Sequence, residues 1–405
     1  MTTINSTDDE NMFNFNKEPT DDDDINPDDF TFESWDDDEV NLNKKLLRGI
    51  YSYGFEKPSP IQKKAVIPMV LKKDVIAQAQ SGTGKTGAFT VGTIQLVDHS
   101  KHCVQAIIIS PTRELSKQTY DVLKSISALL KTKVKLLIGG TSTEQDIKDL
   151  KENVPHIIVG CPGRIHDMAR RKYFDTKTVE LIVLDEADEM LSTGFKEQVY
   201  NIFQYLNNDV QICLFSATMP KELSALTERF MRNPIKILVK QEMLTLEGIA
   251  QYYIALEDDQ QKYATLKDIF KLISLSQCII YCNSVKRVSD LYDAMKEDQF
   301  PVCTIHSNME REERTQSYED FKIGKYRVLI SSNVTARGID IQQVSTVINF
   351  DIPKCVHTYL HRIGRSGRWG RKGTGINFVT KRDIPRIKQI EQHYGTEIQE
   401  MPSQL

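Results

Sequence analysis

Short continuous apolar runs recur along the first half of the chain and alternate with longer amphipathic stretches. The runs are rich in Val and Ile and contain few polar residues, a pattern typical of strands buried on both faces of a parallel sheet. They predict strands at Val75–Ala77, Ala106–Ile109, Val134–Ile138, His156–Val159, Leu181–Leu184 and Gln211–Phe215. Stretches 115–130 and 143–152 have helical periodicity. This strand–helix alternation predicts an α/β fold with a doubly wound parallel sheet.

The same pattern recurs after a polar segment at 241–248. Apolar runs there predict strands at Tyr252–Leu256, Gln277–Tyr281, Val302–Ile305, Arg327–Ile330, Thr346–Asn349 and Gly375–Val379. A second α/β lobe of similar size is therefore expected, since a single core rarely grows far beyond about 250 residues. The predicted boundaries are a first lobe over 41–240, a linker over 241–248 and a second lobe over 249–405.

Charge divides the chain into two unlike parts. The 405 residues carry 52 Lys and Arg against 56 Asp and Glu, for a formal net charge of −4. Residues 1–40 alone contain fifteen acidic residues and one Lys, so the remainder has a net charge of +10. The acidic segment is poor in aliphatic residues and is predicted to be disordered, because burial could not offset the entropy of ordering it. The basic remainder indicates a polyanion such as nucleic acid as partner, or only a solvated surface.

Several protein classes are disfavoured by composition and spacing. No apolar run approaches the roughly 18 residues that a membrane-spanning helix needs, and the acidic N-terminus resembles neither a secretory signal nor a transit peptide. The seven Cys form no C-x-x-C pair, which favours free, buried thiols in an intracellular protein over a disulfide or zinc framework. Metal-ligand spacing is also missing around five histidines, namely His99, His102, His156, His166 and His393.

Residues 79–86 read AQSGTGKT and stand between a predicted strand and a predicted helix. This fits the phosphate-binding P-loop, with Ala79 at the position usually held by the first glycine. Glycines let backbone N–H groups converge on phosphate oxygens, and the following helix contributes the positive end of its dipole. Lys85 would reach the β- and γ-phosphates, and the Thr86 hydroxyl would bind Mg²⁺. The alternative is a flexible glycine-rich turn. The predicted nucleotide contacts are Ala79, Gln80, Ser81, Gly82, Thr83, Gly84, Lys85 and Thr86.

Residues 181–188 read LIVLDEAD, an apolar strand that ends in acidic residues. A P-loop nucleotidase needs such an element, in which Asp185 would help to hold Mg²⁺ and Glu186 would polarise the attacking water. A charged turn between a strand and a helix is the alternative, and the P-loop in the same lobe argues against it.

DEAD at 185–188 is the signature of the DEAD-box ATP-dependent RNA helicases, and the chain resembles that family from about residue 42 to 402. The resemblance is closest to the eukaryotic initiation factor 4A group, which includes an exon-junction relative. It is carried by RGIYSYGFEKPSPIQ at 48–62, LDEADEMLSTGF at 184–195, SATMP at 216–220 and HRIGRSGRWGRKG at 361–373. It implies two RecA-like lobes, ATP and Mg²⁺ as cofactors, and RNA as partner.

The resemblance also implies an adenine-selecting segment around 54–62. Gln62 is suited to pairing with the adenine edge, Phe55 would cover the base, and Lys57 is a further nucleotide contact. An upstream aromatic residue of the family corresponds to Trp35 or Phe32, although either could pack on the lobe.

Coupling and finger residues follow from the same resemblance. Ser216 and Thr218 would hydrogen-bond to the DEAD turn, and His361 and Arg362 would link neighbouring motifs. Arg365 and Arg368 resemble arginine fingers, which stabilise charge on the transferring phosphoryl group; a basic helix that contacts RNA is the alternative. Asp340 would bind the ribose hydroxyls.

RNA-contacting residues are implied in both lobes. In the first lobe they are Pro111, Thr112, Arg113, Gly140, Gly163 and Arg164; in the second they are Asn283, Arg314, Thr335, Arg337 and Gly338. Few aromatic residues lie among them, which favours backbone contacts with little sequence preference.

Three positions depart from the family pattern. Cys161 replaces the usual Thr and removes a hydroxyl, Ser116 replaces a frequent Ala, and Asn333 stands where an Asp is common. Asn333 puts coupling between the lobes in doubt, because a negative charge near the arginine cluster is lost.

The sequence thus predicts a monomeric RNA-dependent ATPase and helicase whose lobes close on ATP and single-stranded RNA, most simply in the cytoplasm, with the nucleus as an alternative. Translation initiation and mRNA processing are both compatible, with protein partners in either. The rival hypotheses are an ATP-gated RNA clamp in an exon-junction-type assembly and an inactive scaffold. The scaffold is disfavoured because no catalytic residue is damaged.

Overall fold

The computed structural model describes residues 30–79, 82–192, 194–238, 249–272, 277–333, 344–366 and 373–402. The first lobe consists of α1 (Lys44–Tyr53), α2 (Pro60–Val70), β1 (Val75–Gln78), α3 (Lys85–Leu96), β2 (Ala106–Ile109), α4 (Arg113–Ile126), β3 (Val134–Leu137), α5 (Thr143–Glu152), β4 (Ile157–Gly160), α6 (Pro162–Arg170), β5 (Leu181–Asp185), α7 (Ala187–Ser192), α8 (Lys196–Tyr205), β6 (Gln211–Ser216), α9 (Lys221–Phe230) and β7 (Ile235–Leu238). A 3₁₀ turn covers Thr176–Thr178.

The second lobe repeats the alternation with β8 (Ile249–Ala255), α10 (Gln261–Leu272), β9 (Cys278–Tyr281), α11 (Val285–Glu297), β10 (Val302–Ile305), α12 (Arg311–Lys322), β11 (Val328–Ser331), β12 (Thr346–Asn349), α13 (Val356–Ile363), β13 (Gly373–Val379), α14 (Ile384–Tyr394) and β14 (Gln399–Glu400). The predicted linker at 241–248 lies outside the described residues.

Each lobe is built on a parallel sheet, as the apolar runs predict. Among the described residues the first sheet has seven strands in the order β3-β4-β2-β5-β6-β1-β7, and the second has seven in the order β10-β11-β9-β12-β13-β8-β14. Buried apolar clusters cover both faces of both sheets. The prediction of two doubly wound lobes is therefore confirmed.

Strand order decides where the candidate motifs meet. In a doubly wound sheet, ligands bind beyond the carboxyl ends of the strands. The P-loop follows β1, the SAT run follows β6 and the DEAD run follows β5, and these three strands are neighbours in the first sheet. The predicted RNA-contacting turns follow β2, β4 and β3, which occupy the other half of the same sheet. The predicted nucleotide site and the predicted RNA site therefore lie side by side beyond the carboxyl ends of the strands of the first sheet.

Helix α4 shows how local sequence fixes these positions. Thr112 caps it by accepting a hydrogen bond from the Leu115 N–H at 3.3 Å, and Glu114 favours the positive end of the helix dipole. Its buried face includes Leu115, Val122 and Ile126, spaced as an amphipathic helix requires. Arg113 is therefore held at the first turn of the helix, directly beyond β2.

The prediction that all of 1–40 is disordered is wrong for its final part. Phe32, Trp35 and Val40 are at most 2% exposed and belong to the core of the first lobe. The Phe32 and Trp35 rings lie 5.4 Å apart, and the Asp37 carboxylate accepts hydrogen bonds from the backbone of Glu33 and Ser34. Three apolar side chains provide the burial that the average composition of the segment conceals. Residues 1–29 lie outside the described residues.

Candidate functional site

The P-loop begins as an extension of β1, where the Ala79 N–H donates to the Ser216 carbonyl at 3.0 Å. Gly82 and Gly84 adopt positive φ angles of 84° and 100°. A side chain at Gly84 would also come within 2.5 Å of Ser59 Oγ, so both conformation and space require glycine there. Helix α3 starts at Lys85, so the N–H groups of its first turn are directed toward the P-loop. Thr83 and Thr86 are half-buried, while Gln80 and Ser81 lie outside the described residues.

Three charged side chains converge beneath this turn. Lys85 Nζ lies 3.2 Å from Glu186 Oε1, and both side chains are about 95% buried. Asp185 is equally buried at the end of β5. Burial together with the neighbouring Glu186 charge raises the pKa of the Asp185 carboxyl well above its usual range. The site therefore contains two buried carboxyl groups and one lysine, and this arrangement favours the binding of a further cation.

Glu186 also has an unusual backbone conformation, with a φ of +50°. A non-glycine residue in this left-handed region is strained by roughly 1–3 kcal/mol, and such strain is concentrated at functional sites. The conformation ends β5 and starts α7, which allows Glu186 to turn toward Lys85 while Asp188 turns toward β6.

The predicted adenine segment packs against the P-loop helix. Gln62 is buried, its amide nitrogen donates to the Gly84 carbonyl at 3.1 Å, and its oxygen accepts from the Ser59 N–H at 2.7 Å. A side chain at Gly87 would lie 3.0 Å from the Phe55 ring. Gln62 and Phe55 therefore flank the start of α3, whereas Lys57 is exposed. Trp35 and Phe32 lie in the core of the lobe.

The predicted coupling residues meet at Asp188. The Thr218 hydroxyl donates to Asp188 Oδ2 at 2.6 Å, and the Ser216 hydroxyl accepts from the Asp188 N–H at 3.4 Å. The predicted contact between SAT and the DEAD turn is thus present. His361 of the second lobe lies 3.9 Å from the same Asp188 oxygen, and both side chains are nearly fully buried. Asp188 is where the two lobes meet beside the carboxylate pair.

Arg365 lies two residues beyond the end of α13, after the capping residue Gly364, and is 2% exposed. Its Nε donates to the His361 carbonyl at 3.1 Å, which ties it to the residue that faces Asp188. Arg362 points into the second lobe and is fully buried. The other predicted finger, Arg368, and the predicted ribose ligand, Asp340, lie outside the described residues.

In the first lobe, the predicted RNA contacts line the sheet edge beyond β2, β3 and β4. Pro111 is buried and Thr112 caps α4. Arg113 is exposed, and its guanidinium lies about 3.3 Å from where a side chain at Gly139 would begin. Gly140, with a φ of +82°, and Gly163 are exposed. Arg113, Gly140 and Gly163 thus present donors and open backbone on one surface.

Arg164 has a different environment from the predicted one. Its guanidinium is bonded to the Asp146 carboxylate and donates to the Thr141 carbonyl at 3.1 Å. The side chain is only 11% exposed. These contacts join α6 to the turn after β3, so Arg164 holds two of the predicted RNA-contacting turns together.

Asn283 and Arg314 of the second lobe, like Arg164, are held by contacts with other protein residues. The side-chain amide nitrogen of Asn283 donates to the Ile352 carbonyl, and its side-chain oxygen accepts from Arg362 Nη2. Arg314 Nη2 crosses to the first lobe and donates to Glu114 Oε2 at 2.7 Å. Helices α4 and α12, which carry this ion pair, line a cavity of about 530 Å³. Thr335, Arg337 and Gly338 lie outside the described residues.

Two of the three departures from the family pattern contact each other. Ser116 Oγ lies 3.5 Å from Cys161 Sγ and donates to the Thr112 carbonyl at 3.0 Å. Burial raises the pKa of the Cys161 thiol to about 11. The third, Asn333, accepts hydrogen bonds from Nε and Nη2 of Arg362 at 3.0 and 2.6 Å.

Several residues of the site were not predicted from sequence. They are Asp188, Glu114, Asp146 and Asp351, each of which holds a predicted residue in place. Their partners are up to 200 residues away in sequence, so no local pattern identifies these contacts. The residues themselves had a signal in two cases, since Asp188 belongs to the DEAD run and Glu114 lies in the run PTREL at 111–115.

The seven cysteines are all free thiols. No group of three or more His, Cys, Asp or Glu in the described parts of the chain is placed to hold a metal ion. In those parts, no helix has the length and apolarity needed to cross a membrane.

Two family models match the chain, one for each lobe. The DEAD/DEAH box helicase model matches residues 59–226, and the model for the helicase conserved C-terminal domain matches residues 261–370. Eukaryotic initiation factor 4A of Caenorhabditis elegans is 50% identical over 364 residues, which is 90% of each chain. The chain belongs to the DEAD-box RNA helicases.

Relatives place this DEAD-box helicase with the initiation factor 4A group. An initiation factor 4A-III homologue of rice, Oryza sativa subsp. japonica, is 48% identical over 361 residues, covering 89% of both chains. The resemblance seen in the sequence is thereby confirmed, and the enzyme is an ATP-dependent RNA helicase.

Solved structures agree with the two-lobed fold. Dbp5 of S. cerevisiae bound to RNA and ADP–BeF₃ matches with a TM-score of 0.83 and 34% identity, covering 90% of this chain and 94% of that one. Mss116 bound to single-stranded RNA and AMP-PNP matches with a TM-score of 0.82 and 28% identity, covering 95% and 82%. This DEAD-box helicase therefore has the nucleotide-binding fold of its family.

Proposed function

We propose that this helicase hydrolyses ATP in an RNA-stimulated reaction at the junction of its two lobes, and that closure of the lobes locally opens short duplexes. The observation that carries this proposal is the meeting of Asp188 and His361 at 3.9 Å, next to the Lys85–Glu186 pair on one side and Arg365 on the other. Groups from both lobes are needed around one phosphate, so closure assembles the catalyst.

The first lobe supplies nucleotide binding. Phosphate oxygens would accept hydrogen bonds from the N–H groups at the start of α3, and Lys85 would bind the β- and γ-phosphates. Lys85 would then exchange its partner Glu186 for phosphate, which frees Glu186 to polarise the attacking water. Gln62 already contacts the Gly84 carbonyl, so it would link adenine recognition to the shape of the P-loop.

The residues at this site fit a Mg²⁺ ion that arrives with ATP. Asp185 is a buried carboxyl whose pKa is raised by the lack of solvent and by Glu186, and a divalent cation offsets both effects. Thr86 and Asp185 would offer the oxygen ligands that Mg²⁺ prefers, together with the phosphate oxygens of ATP. When bound, the ion neutralises charge on the phosphates.

The second lobe supplies the arginine that completes the site. Arg365 is buried and bonded to the His361 carbonyl, so its position depends on α13. A guanidinium aimed at the transferring phosphoryl group accelerates such reactions by roughly 10³–10⁵. Arg368 would have the same role. Asp340 would bind the ribose.

Single-stranded RNA would lie across both lobes along the carboxyl edge of the first sheet. Arg113, Gly140 and Gly163 present exposed donors there, supported by Pro111, Thr112 and Arg164. Thr335, Arg337 and Gly338 would continue the track, with Asn283 and Arg314 acting through their neighbours. Backbone contacts of this kind predict little sequence preference, and with about five phosphates neutralised a log–log salt slope of roughly −3.5.

Two substitutions test the catalytic proposal. Lys85→Ala should abolish ATP binding and hydrolysis. Arg365→Ala should leave binding of a fluorescent ATP analogue within twofold of the parent while RNA-stimulated turnover falls at least a thousandfold. Normal turnover in the Arg365 variant would refute its role as a finger.

In the cell, the proposed role is translation initiation or mRNA processing, in the cytoplasm or the nucleus, as a monomer that works with protein partners. Initiation factor 4A and a 4A-III homologue are similar to this chain at nearly equal identity, 50% and 48%, which supports a role in either process. The competing proposal is an ATP-gated RNA clamp of the exon-junction type. Unwinding of a short duplex and the lifetime of the RNA complex with ATP should be measured together: fast unwinding with a short lifetime supports the helicase role.

A further inference from the structure

A continuous chain of buried hydrogen bonds runs through the second lobe from Arg362 across β12 and β13 to β8 and to Thr396, which follows α14. Arg362 Nη1 donates to Asn349 Oδ1 at 3.0 Å, and the Asn349 amide donates to Asn377 Oδ1 at 2.9 Å. Asn377 donates to the Tyr359 hydroxyl at 3.2 Å, which donates to Gln251 Oε1 at 2.8 Å. Gln251 then donates to Thr396 Oγ1 at 3.1 Å.

Every bond in this chain points the same way. A guanidinium can only donate, so Asn349 must turn its oxygen toward Arg362 and its amide nitrogen toward Asn377. The same constraint then passes to Asn377 and Tyr359. Arg362, Asn349, Asn377 and Tyr359 are all fully buried, where aligned hydrogen bonds polarise one another and a missing partner is costly.

Arg362 stands at the start of the hydrogen-bond chain, and each of its N–H groups has an acceptor. Its five N–H groups make five hydrogen bonds, and the acceptors are Asn333 twice, Asn349, Asn283 and the Asp351 carbonyl. None of these acceptors is a carboxylate oxygen. The Asp351 carboxylate is turned to Lys262 and Arg287 instead. The Tyr281 ring lies 5.1 Å from the guanidinium carbon.

Helix α13 is the element that this chain holds. Tyr359 and Arg362 lie three residues apart on one face of α13, and both are bonded to strands β12, β13 or β8 of the sheet. The next turn of the same backbone carries Arg365, whose N–H donates to the Arg362 carbonyl at 3.1 Å. A shift of α13 on the sheet would therefore move Arg365 by the same amount.

We propose that Asn349, Asn377, Tyr359 and Gln251 form a positioning network that sets where α13 presents Arg365 to the nucleotide. The proposal rests on the catalytic role proposed above for Arg365. A misplacement of about 1 Å can reduce a rate by roughly a hundredfold, so the network acts on turnover rather than on nucleotide binding, for which the proposed phosphate and adenine contacts lie on the other lobe.

Two variants that each add a negative charge distinguish the effect of the directed hydrogen-bond chain from the effect of charge beside Arg362. Asn333→Asp and Asn349→Asp each give the Arg362 guanidinium a carboxylate partner. Asn333 only accepts from Arg362 in the described contacts, so its variant preserves the chain. Asp at position 349 cannot donate to Asn377, so that variant breaks the chain.

The network predicts that Asn349→Asp lowers kcat for RNA-stimulated ATP hydrolysis by about 10-fold or more, with KM for ATP within twofold, while Asn333→Asp keeps kcat at or above the parent value. Equal loss in both variants would attribute the effect to charge and overturn the proposal. Equal retention would overturn it as well.

Tyr359→Phe provides a second test that keeps the size and shape of the side chain. It deletes one hydroxyl and should lower kcat by roughly 5- to 100-fold at unchanged KM for ATP. Tyr263→Phe is the matched control, because that hydroxyl also makes two hydrogen bonds in the same lobe, to Ala294 and Asp298, away from α13. Rates are measured well below the melting temperature of each variant, so that a purely structural effect would leave kcat unchanged; an unchanged kcat in Tyr359→Phe overturns the proposal.

Arg365→Ala is measured in parallel to separate the two proposals. If it turns over ATP normally, the finger role fails and the positioning role fails with it. If it is inactive while Tyr359→Phe and Asn349→Asp match the parent, only the positioning network is refuted.

Discussion

Asp188 has two partners that a local sequence pattern cannot reveal. The DEAD run marks it as part of the site, but Thr218 and His361 approach it from β6 and from the other lobe. The Asp188 carboxylate therefore lies between β6 of the nucleotide-binding lobe and α13 of the second lobe. A single hydrogen bond to such a buried carboxylate is worth roughly 1–3 kcal/mol when its loss leaves the group under-satisfied.

Thr218→Val should weaken coupling without loss of nucleotide binding, because it removes the hydroxyl that donates to Asp188 and keeps the shape of the side chain. We expect RNA stimulation of the ATPase to fall several-fold while affinity for an ATP analogue stays within twofold. Thr93→Val is the matched control: Thr93 is fully buried on α3, and its hydroxyl has no hydrogen-bond partner among the residues that the structure describes. Equal RNA stimulation in the two variants would argue against a coupling role for Thr218.

Cys161 gives a prediction about pH. Its pKa is raised to about 11 because the thiol is buried, and only the thiolate reacts with alkylating agents. At pH 8 about one thiol in a thousand would be ionised, so alkylation should be slow and rise about tenfold per pH unit up to about pH 11. Exposed Cys355 should react first, as read by mass spectrometry of proteolytic peptides. Rapid modification of Cys161 at pH 8 would contradict this environment.

Strands that form continuous apolar runs were predictable from sequence, including the edge strands β3 and β10, whereas β7 and β14 at the opposite edges were not. Strand β7 has inward-facing Ile235 and Ile237 alternating with exposed Lys236 and Leu238, so it forms no run, and β14 has only two residues. The P-loop and DEAD turns were found because their chemistry is local in sequence. The ion pairs of Arg164 and Arg314 depend on strand order and lobe contact, which sequence spacing does not encode.

The segment from Phe30 to Val40 behaves as an element of the first lobe although it has no regular secondary structure. Trp35→Ala should destabilise the lobe by roughly 3–5 kcal/mol, because it removes a large side chain that is 1% exposed in the core. Glu39→Ala, at an exposed position in the same segment, should change stability by less than about 0.5 kcal/mol. Chemical denaturation measures both, and equal stability of the two variants would show that the segment does not belong to the core.

Two ion pairs join α4 of the first lobe to α12 of the second. Arg314 and Glu114 are 2.7 Å apart with side chains 14% and 20% exposed, whereas Lys117 and Glu319 are 3.9 Å apart and nearly half exposed. Partly buried pairs retain more of their attraction than exposed ones. Closure should therefore depend on the first pair and hardly at all on the second.

Reversing the first pair tests this dependence. Glu114→Arg and Arg314→Glu should each raise the RNA concentration that half-saturates the ATPase, and the double variant should recover part of the loss, with a coupling energy of about 1–3 kcal/mol. The same exchange at Lys117 and Glu319 should show a coupling below about 0.5 kcal/mol. Equal coupling in both cycles would mean that neither pair stabilises the closed form specifically.

We expect ATP and RNA together to close the lobes and so assemble the catalyst, and Förster resonance energy transfer between the two lobes measures this closure. Dyes would be attached at Leu129→Cys in the first lobe and Ile323→Cys in the second, both at exposed positions, with Cys355 replaced by Ser. We expect the transfer efficiency to be unchanged by RNA alone or by ADP–BeF₃ alone and to rise when both are present. It should return to its starting value when ADP replaces ADP–BeF₃. Transfer that responds fully to either ligand alone, or to neither combination, would contradict the claim.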